Sequence, residues 1–300
     1  MKVLVIGGSY FLGRVLTMMS YKDFDLTLIN RGQYSMKHYN VKEYQFDRHD
    51  AQAWSQMPLE DYDAIVDFCA YQSGDIQTVI QSFKGQIKQY ILISTVDVYQ
   101  RQTGLLKDEN HELERRHFPG DAGEYIFQKV LLEKELKELC TEYKIPYTIL
   151  RPGNIYGPFN YAPRESEFIK RIVYGLPLYD ISDADASFQL VFVKDVARTI
   201  MLCIEKKAYQ KIYNVISPDI IHYLDIYQSL KKCCDHSILI KKQSFHQLQQ
   251  MNYPLPYPIF KQEEELYNGQ LISKELGLQY TSLDEGMKKT YQAFLPVYQK

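Results

Sequence analysis

Short apolar runs alternate along the first half of the chain with stretches in which apolar residues recur three and four positions apart. The runs at 2–6, 25–29, 43–46, 64–68, 89–94 and 146–150 are short enough to predict buried strands, and the segments 12–19, 75–83 and 124–143 carry helical spacing. Strands alternating with helices predict an α/β chain on a doubly wound parallel sheet, because parallel neighbours need crossovers and right-handed ones dominate. From 102 to 123 the pattern turns polar around Gly104, Pro119 and Gly120, which predicts a loop near the carboxyl end of the strand closing at Ser94. After Arg151 shorter elements follow at 191–193, 195–205, 211–215 and 222–233. An extended, proline-rich connector is expected at 253–258, and an amphipathic helix at 284–294, where Leu283, Met287, Tyr291 and Phe294 recur at helical spacing.

Charge narrows the classes of partner. Across the 300 residues, 35 Lys and Arg stand against 37 Asp and Glu, a net charge of −2 with no field to hold a polyanion, which argues against DNA and disfavours RNA. No apolar run approaches the roughly 20 residues that cross a bilayer, so no membrane partner is expected. The opening segment meets glycine too early for a secretory signal, and a cytoplasmic location is the expectation. Cys69, Cys140, Cys203, Cys233 and Cys234 are scattered and odd in number, which fits reduced, buried thiols better than disulfides. His38, His49, His111, His117, His222, His236 and His246 form no metal spacing, and no metal is expected.

The strand at 2–6 runs into Gly7-Gly8-Ser9-Tyr10-Phe11-Leu12-Gly13 and then a helix. Glycine permits the tight turn at Gly7 and close helix packing at Gly13, while the helix N-terminus offers free N–H groups to a pyrophosphate. Strand, turn and helix in this order point to a dinucleotide, with Gly7, Ser9, Tyr10, Phe11, Leu12 and Gly13 around it. Tyr10 stands where the middle glycine of such a turn belongs, so a side chain is expected to narrow the site or displace the cofactor. At the end of the second strand Asn30-Arg31 replaces the acid that would hold a ribose 2′-hydroxyl. Arg31 can pair with a 2′-phosphate, which tilts the choice between NAD and NADP toward NADP; a solvated arginine in a turn is the equal alternative.

Tyr125 and Lys129 lie four apart on the helix expected from 124, on one face. A free phenol titrates near 10, so it needs a neighbouring ammonium and a positive nicotinamide to favour phenolate. Tyr227 and Lys231, and Tyr257 and Lys261, repeat the spacing. Chain order selects Tyr125, since its helix begins at the carboxyl edge of the sheet where ligands bind. In Ile93-Ser94-Thr95-Val96-Asp97-Val98-Tyr99 a hydroxyl can reach the reacting oxygen, and Thr95 is chosen over Ser94; an ordinary turn closing a strand is the plainer reading.

Together these segments resemble the extended short-chain dehydrogenase/reductase superfamily, in its NAD-dependent epimerase/dehydratase branch. Arg151-Pro152-Gly153-Asn154-Ile155-Tyr156-Gly157-Pro158 is similar to the family's R-P-x-N-x-Y-G-P segment, Phe192 to Ala197 to its later strand-to-helix junction, and Phe46-Asp47-Arg48-His49-Asp50 to its adenine-contacting turn. The resemblance implies a Rossmann domain at 1–160, with 185–216 returning to it, and a smaller α+β substrate lobe at 161–184 and 217–300. It implies Thr95, Tyr125 and Lys129 as the catalytic set, Lys129 on the cofactor ribose, Asp47 on adenine and Asn154 at the substrate. It also implies NAD or NADP bound and recycled while a sugar hydroxyl is transiently oxidised. A homodimer through the tyrosine helix is implied, though the stretch 129–143 carries enough charge to be solvated instead.

The chain departs from the family at Tyr10, at Asn30-Arg31, at Asp67-Phe68-Cys69 beneath the cofactor, and at Phe188, where a diphosphate-clamping arginine would stand. Val96-Asp97 replaces the Asp-Glu pair of dehydratases, which makes dehydration the less expected outcome. The departures look like an atypical branch that includes chloroplast stem-loop RNA-binding proteins. The expected activity is nucleotide-sugar epimerisation. Reduction of a small carbonyl compound with NADPH, or a relative that binds cofactor or RNA without chemistry, are the alternatives.

Overall fold

The computed structural model describes residues 1–235 and 237–299; His236, among the histidines weighed as ligands, lies outside them. The strands are β1 (Lys2–Ile6), β2 (Asp25–Asn30), β3 (Lys42–Gln45), β4 (Ala64–Asp67), β5 (Tyr90–Ile93), β6 (Leu106–Lys107), β7 (Tyr147–Pro152), β8 (Asn154–Tyr156), β9 (Leu178–Ile181), β10 (Leu190–Phe192), β11 (Lys211–Val215), β12 (Ile240–Gln243) and β13 (Leu266–Tyr267). The helices are α1 (Phe11–Ser20), α2 (Ala51–Gln56), α3 (Asp75–Ser82), α4 (Asp121–Glu142), α5 (Glu165–Val173), α6 (Val193–Glu205), α7 (Tyr223–Lys231), α8 (Phe245–Gln250), α9 (Gln270–Leu276) and α10 (Leu283–Tyr298).

Seven strands form one parallel sheet in the order β11-β7-β5-β4-β1-β2-β3, the doubly wound architecture that the alternating pattern predicts. Val3, Leu4, Val5, Ile65, Val66, Ile91 and Leu92 are fully buried, as strands covered by helices on both faces must be. From β1 the chain builds outward to β2 and β3 and then crosses back to β4, so the order reverses between β1 and β4. Strand ends diverge at such a reversal and leave a crevice.

Helix α1 packs its Leu12, Val15 and Leu16 on the sheet, and the Thr17 hydroxyl donates to the carbonyls of Gly8 (2.8 Å) and Gly13 (3.0 Å). That bond ties the helix to the turn before it. Helix α4 begins at Asp121, three residues earlier than the apolar spacing predicts, where Gly120 turns at φ 84° and Asp121 and Glu124 favour the positive helix start.

The expected loop at 102–123 is only partly irregular. Leu106 and Lys107 pair in parallel with Leu266 and Tyr267, a ladder formed across 160 residues of sequence that no local pattern could reveal. Residues of α6 pack beside α1, and β11 closes one edge of the main sheet. Elsewhere β9 pairs with β12, and α10 packs on α5 and α7, with Met287 and Tyr291 buried. Among the described residues no helix is long and apolar enough to cross a membrane.

Candidate active site

A crevice of about 1480 Å³ runs along the carboxyl ends of β1, β2, β4 and β5 and reaches into the region after β8. Gly7 turns at φ 92°, and its N–H donates to the Ile29 carbonyl at 2.9 Å. A Cβ there would lie 2.3 Å from the Cys69 sulfur, and one on Gly13 would lie 2.2 Å from the Gly7 carbonyl oxygen. Both positions therefore require glycine. Tyr10 occupies the N-cap of α1 without a side-chain cap, so the first N–H groups of the helix stay available to the crevice that Ser9, Tyr10, Phe11, Leu12 and Gly13 line. This donor set suits an anion such as a pyrophosphate.

The Tyr10 ring lines the crevice, is 46% exposed and stacks on Tyr34 and Tyr161 at the mouth. The ring gains contact with two other rings there.

At the end of β2 the Asn30 side chain is committed locally. Its Nδ2 donates to Glu43 (2.7 Å) and its Oδ1 accepts from the Gly32 N–H (2.7 Å). Arg31 is exposed and lines the crevice. Asp47 also lines it, with a carboxylate that accepts from the His49 backbone N–H at 3.0 Å and lies 2.8 Å from His49 Nδ1, contacts that hold it below the ordinary range.

The neighbouring Arg48 is a site residue that sequence reasoning missed. It grips fully buried Asp67 at 2.9 and 2.8 Å, and donates to the Asp75 carbonyl at 2.8 Å. The Tyr90 hydroxyl donates to the same carboxylate at 2.6 Å. Burial alone would raise the Asp67 carboxyl, but Arg48 and these donors keep it depressed. An acid in place of a small residue at the end of β4 was the signal for an opposing cation.

Thr95, Tyr125 and Lys129 come together on one wall of the crevice. Thr95 caps the short turn Val96–Val98, its hydroxyl accepting from the Asp97 N–H at 3.2 Å and donating to the Asp97 carboxylate at 3.0 Å. Lys129 is buried, and its Nζ donates to the carbonyls of Ala70 (2.8 Å) and Ile93 (2.9 Å). Burial lowers it to about 8, with Asp67 opposing. The ammonium lies 5.7 Å from the centroid of the Tyr125 ring.

The expectation is that this ammonium and a positive nicotinamide together favour the phenolate; the surroundings of the phenol by themselves push the other way. Tyr125 is 38% exposed at the crevice, yet partial desolvation of its phenol raises it above its ordinary value, and Asp97, Tyr71 and Tyr161 raise it further, while the Thr95 hydroxyl opposes. Lys129 Nζ donates to the Ala70 and Ile93 carbonyls, and its charge acts on the phenol through space.

Ser94 also borders the crevice, but its hydroxyl is committed to Glu133, to which it donates at 2.6 Å. Glu133 holds Arg151 through Nε (2.9 Å) and Nη2 (2.6 Å), and Arg151 Nη1 donates to the Tyr99 hydroxyl, which donates to Asn214. This buried chain binds β5, α4, β7 and β11 into one body. Asn154 is half-buried on β8 and lines the crevice. Phe188 is buried, and its ring stacks on Tyr257 with centroids 4.6 Å apart. Among the described residues no cluster of His, Cys, Asp and Glu could hold a metal.

Residues 3–215 match the model of the NAD dependent epimerase/dehydratase family. Chloroplast stem-loop binding protein of 41 kDa b from Arabidopsis thaliana is 26% identical over an alignment of 236 positions that covers 71% of this chain and 58% of that protein's length. The fold is shared with the UDP-N-acetylglucosamine 4-epimerase of Methanobrevibacter ruminantium, solved with UDP-N-acetylmuramic acid, at 20% identity and a TM-score of 0.77 over 99% of this chain and 98% of that one. It is shared too with the UDP-glucuronic acid 4-epimerase of Bacillus cereus, solved with NAD, at 19% identity and a TM-score of 0.74 over 99% and 100%. At these identities the likeness is one of fold.

Proposed function

The chain belongs to the NAD-dependent epimerase/dehydratase family, and on that premise we propose that it is an NAD(P)-dependent enzyme acting at a hydroxyl or keto carbon, with a nucleotide sugar as substrate class and epimerisation as outcome. The observation that carries this reading is the convergence of Thr95, Tyr125 and Lys129 on one wall of a crevice that also contains the uncapped start of α1. A dinucleotide fits these residues: backbone N–H groups from Ser9 to Gly13 for the pyrophosphate, Arg31 toward one ribose, Asp47 toward adenine and Lys129 toward the other ribose. When bound, its nicotinamide supplies hydride transfer to or from the carbinol carbon.

The protein's own part is proton handling and orientation. Tyr125 would act as phenolate in the oxidising half, where Lys129 and a positive nicotinamide would favour that form, taking the hydroxyl proton as the hydride leaves; in the reducing half it would return that proton to the carbonyl oxygen. Thr95 orients the same oxygen. Two carbonyls pin Lys129 Nζ, which leaves its remaining N–H for a cofactor hydroxyl. The lobe at 161–184 and 217–300, with Asn154 on the facing strand, is read as the substrate side. Arg31 favours NADP. An enzyme is favoured over an RNA-binding relative by the net charge of −2 and by the three catalytic side chains.

The test begins with the identity and stoichiometry of the dinucleotide that copurifies, followed by assays of UDP-sugars with the wild type and Tyr125→Phe. Epimer formation without net cofactor turnover is expected, falling at least ~100-fold in the variant. Retained turnover in Tyr125→Phe would remove the proposed acid/base, and stoichiometric consumption of NADPH would make the chain a reductase.

A further inference from the structure

Three tyrosines from three separate segments meet at the mouth of the crevice. Tyr10 ends the turn between β1 and α1, Tyr34 lies in the loop after β2, and Tyr161 lies in the loop after β8. The Tyr10 and Tyr34 rings stack with centroids 5.5 Å apart and planes 17° apart; Tyr10 and Tyr161 stack at 5.1 Å and 29°. Phe11 meets Tyr161 edge-on at 5.9 Å. Tyr10, Tyr34 and Tyr161 are 46%, 47% and 67% exposed, yet all line the crevice.

The row starts beside the turn after β2, passes over the start of α1 and ends near the catalytic wall, where Tyr161 adds to the upward push on Tyr125. It therefore lies across the stretch that a dinucleotide pyrophosphate would occupy. Resting on the reading of this crevice as a dinucleotide site, we propose that Tyr10, Tyr34 and Tyr161 form a stacked strap that holds the bound dinucleotide in place and slows its release, so that the cofactor stays resident from one turnover to the next.

The physical reason is geometric. A glycine at position 10 would leave Tyr34 and Tyr161 without the ring that joins them, and a long ligand could leave past either one. With the stack closed, rings must separate before release, and the loss of stacked contacts of this kind is worth about tenfold in rate. A resident cofactor suits a reaction that returns its hydride to the same substrate. It opposes net reduction, which needs a fresh cofactor in every cycle.

The experiment loads the full chain with NADH, and separately with NADPH, and follows the fall in nucleotide fluorescence after a chase with excess NAD+ or NADP+. Tyr10→Gly and Tyr161→Ala are each expected to release about tenfold faster than the wild type, and their combination no faster than the faster single variant, because both break one stack. Tyr161→Phe, which keeps the ring, is expected to release at the wild-type rate, and the thermal midpoints of all variants to stay together. Wild-type binding with unchanged release in Tyr10→Gly and Tyr161→Ala would overturn the strap while leaving the site intact. Tighter equilibrium binding in those variants without faster release would overturn it too, because the stack would then work against the bound dinucleotide. Failure of every form to bind NADH or NADPH would instead remove the dinucleotide reading on which the strap rests.

Discussion

Arg48 and Asp67 close a bidentate ion pair, at 2.9 and 2.8 Å, that joins the turn after β3 to the end of β4 beneath the crevice. Neither carboxylate oxygen of Asp67 reaches water, so removing its partner leaves a buried charge uncompensated. Arg48→Ala is expected to cost about 3–5 kcal/mol in urea unfolding, and to weaken dinucleotide binding by releasing the Asp47 turn. A wild-type urea midpoint would show that the pair contributes nothing.

Lys129 is buried with a pKa lowered to about 8, against an ordinary value of 10.5. The unfolded chain therefore binds more protons between these values, and the cost of holding the ammonium is fully present below about pH 8 and fades as pH rises toward 10.5. Lys129→Met removes that dependence. The stability of Lys129→Met relative to wild type is expected to fall by about 2 kcal/mol between pH 7 and pH 9.5. Denaturation series at the two pH values check this, and a constant difference contradicts the lowered pKa.

Adjacent hydroxyls are expected to separate by function. Ser94→Ala breaks a buried bond to the Glu133 carboxylate and should cost about 1.5–3 kcal/mol of stability with nucleotide binding retained. Thr95→Val should leave the folded state within about 1 kcal/mol and lower turnover at least ~100-fold. Thermal melts and UDP-sugar assays on both variants decide, and the reverse assignment would move the orienting hydroxyl to Ser94.

Gly13→Ala places a methyl 2.2 Å from the Gly7 carbonyl oxygen, where neither helix nor strand can retreat without breaking the close contact. A loss of about 1–3 kcal/mol is expected, together with weaker NADH binding, because the shifted turn carries the free N–H groups. Calorimetric unfolding and NADH titration measure the two effects on one sample. NADH affinity equal to wild type would separate the helix packing from the ligand site.

Periodicity made much of the framework legible. Strands β1, β4 and β5 and helices α1, α3 and α4 fall where the apolar spacing puts them, since burial on both faces of a strand or along one stripe of a helix leaves a local imprint. The glycines at 7 and 13 were readable for a similar reason: the turn and the close helix contact leave no room for a side chain. Less visible was α2, six residues with only Trp54 buried, too short for its spacing to rise above that of a loop.

The sequence by itself determined the alternation of elements, the turn that opens the sheet and the placing of Tyr125 and Lys129 on one helix face, because each depends on residues within a turn or two of one another. Tertiary structure alone decided that Arg48 meets Asp67, 19 positions away, and that Tyr99 meets Asn214, 115 positions away. It also decided that Tyr10 turns to the mouth of the crevice and that the Tyr125 phenol is held high. Ion pairs, ring stacks and burial depend on which strand ends and loops the sheet order brings within a few ångströms, and separation along the chain carries no record of that distance.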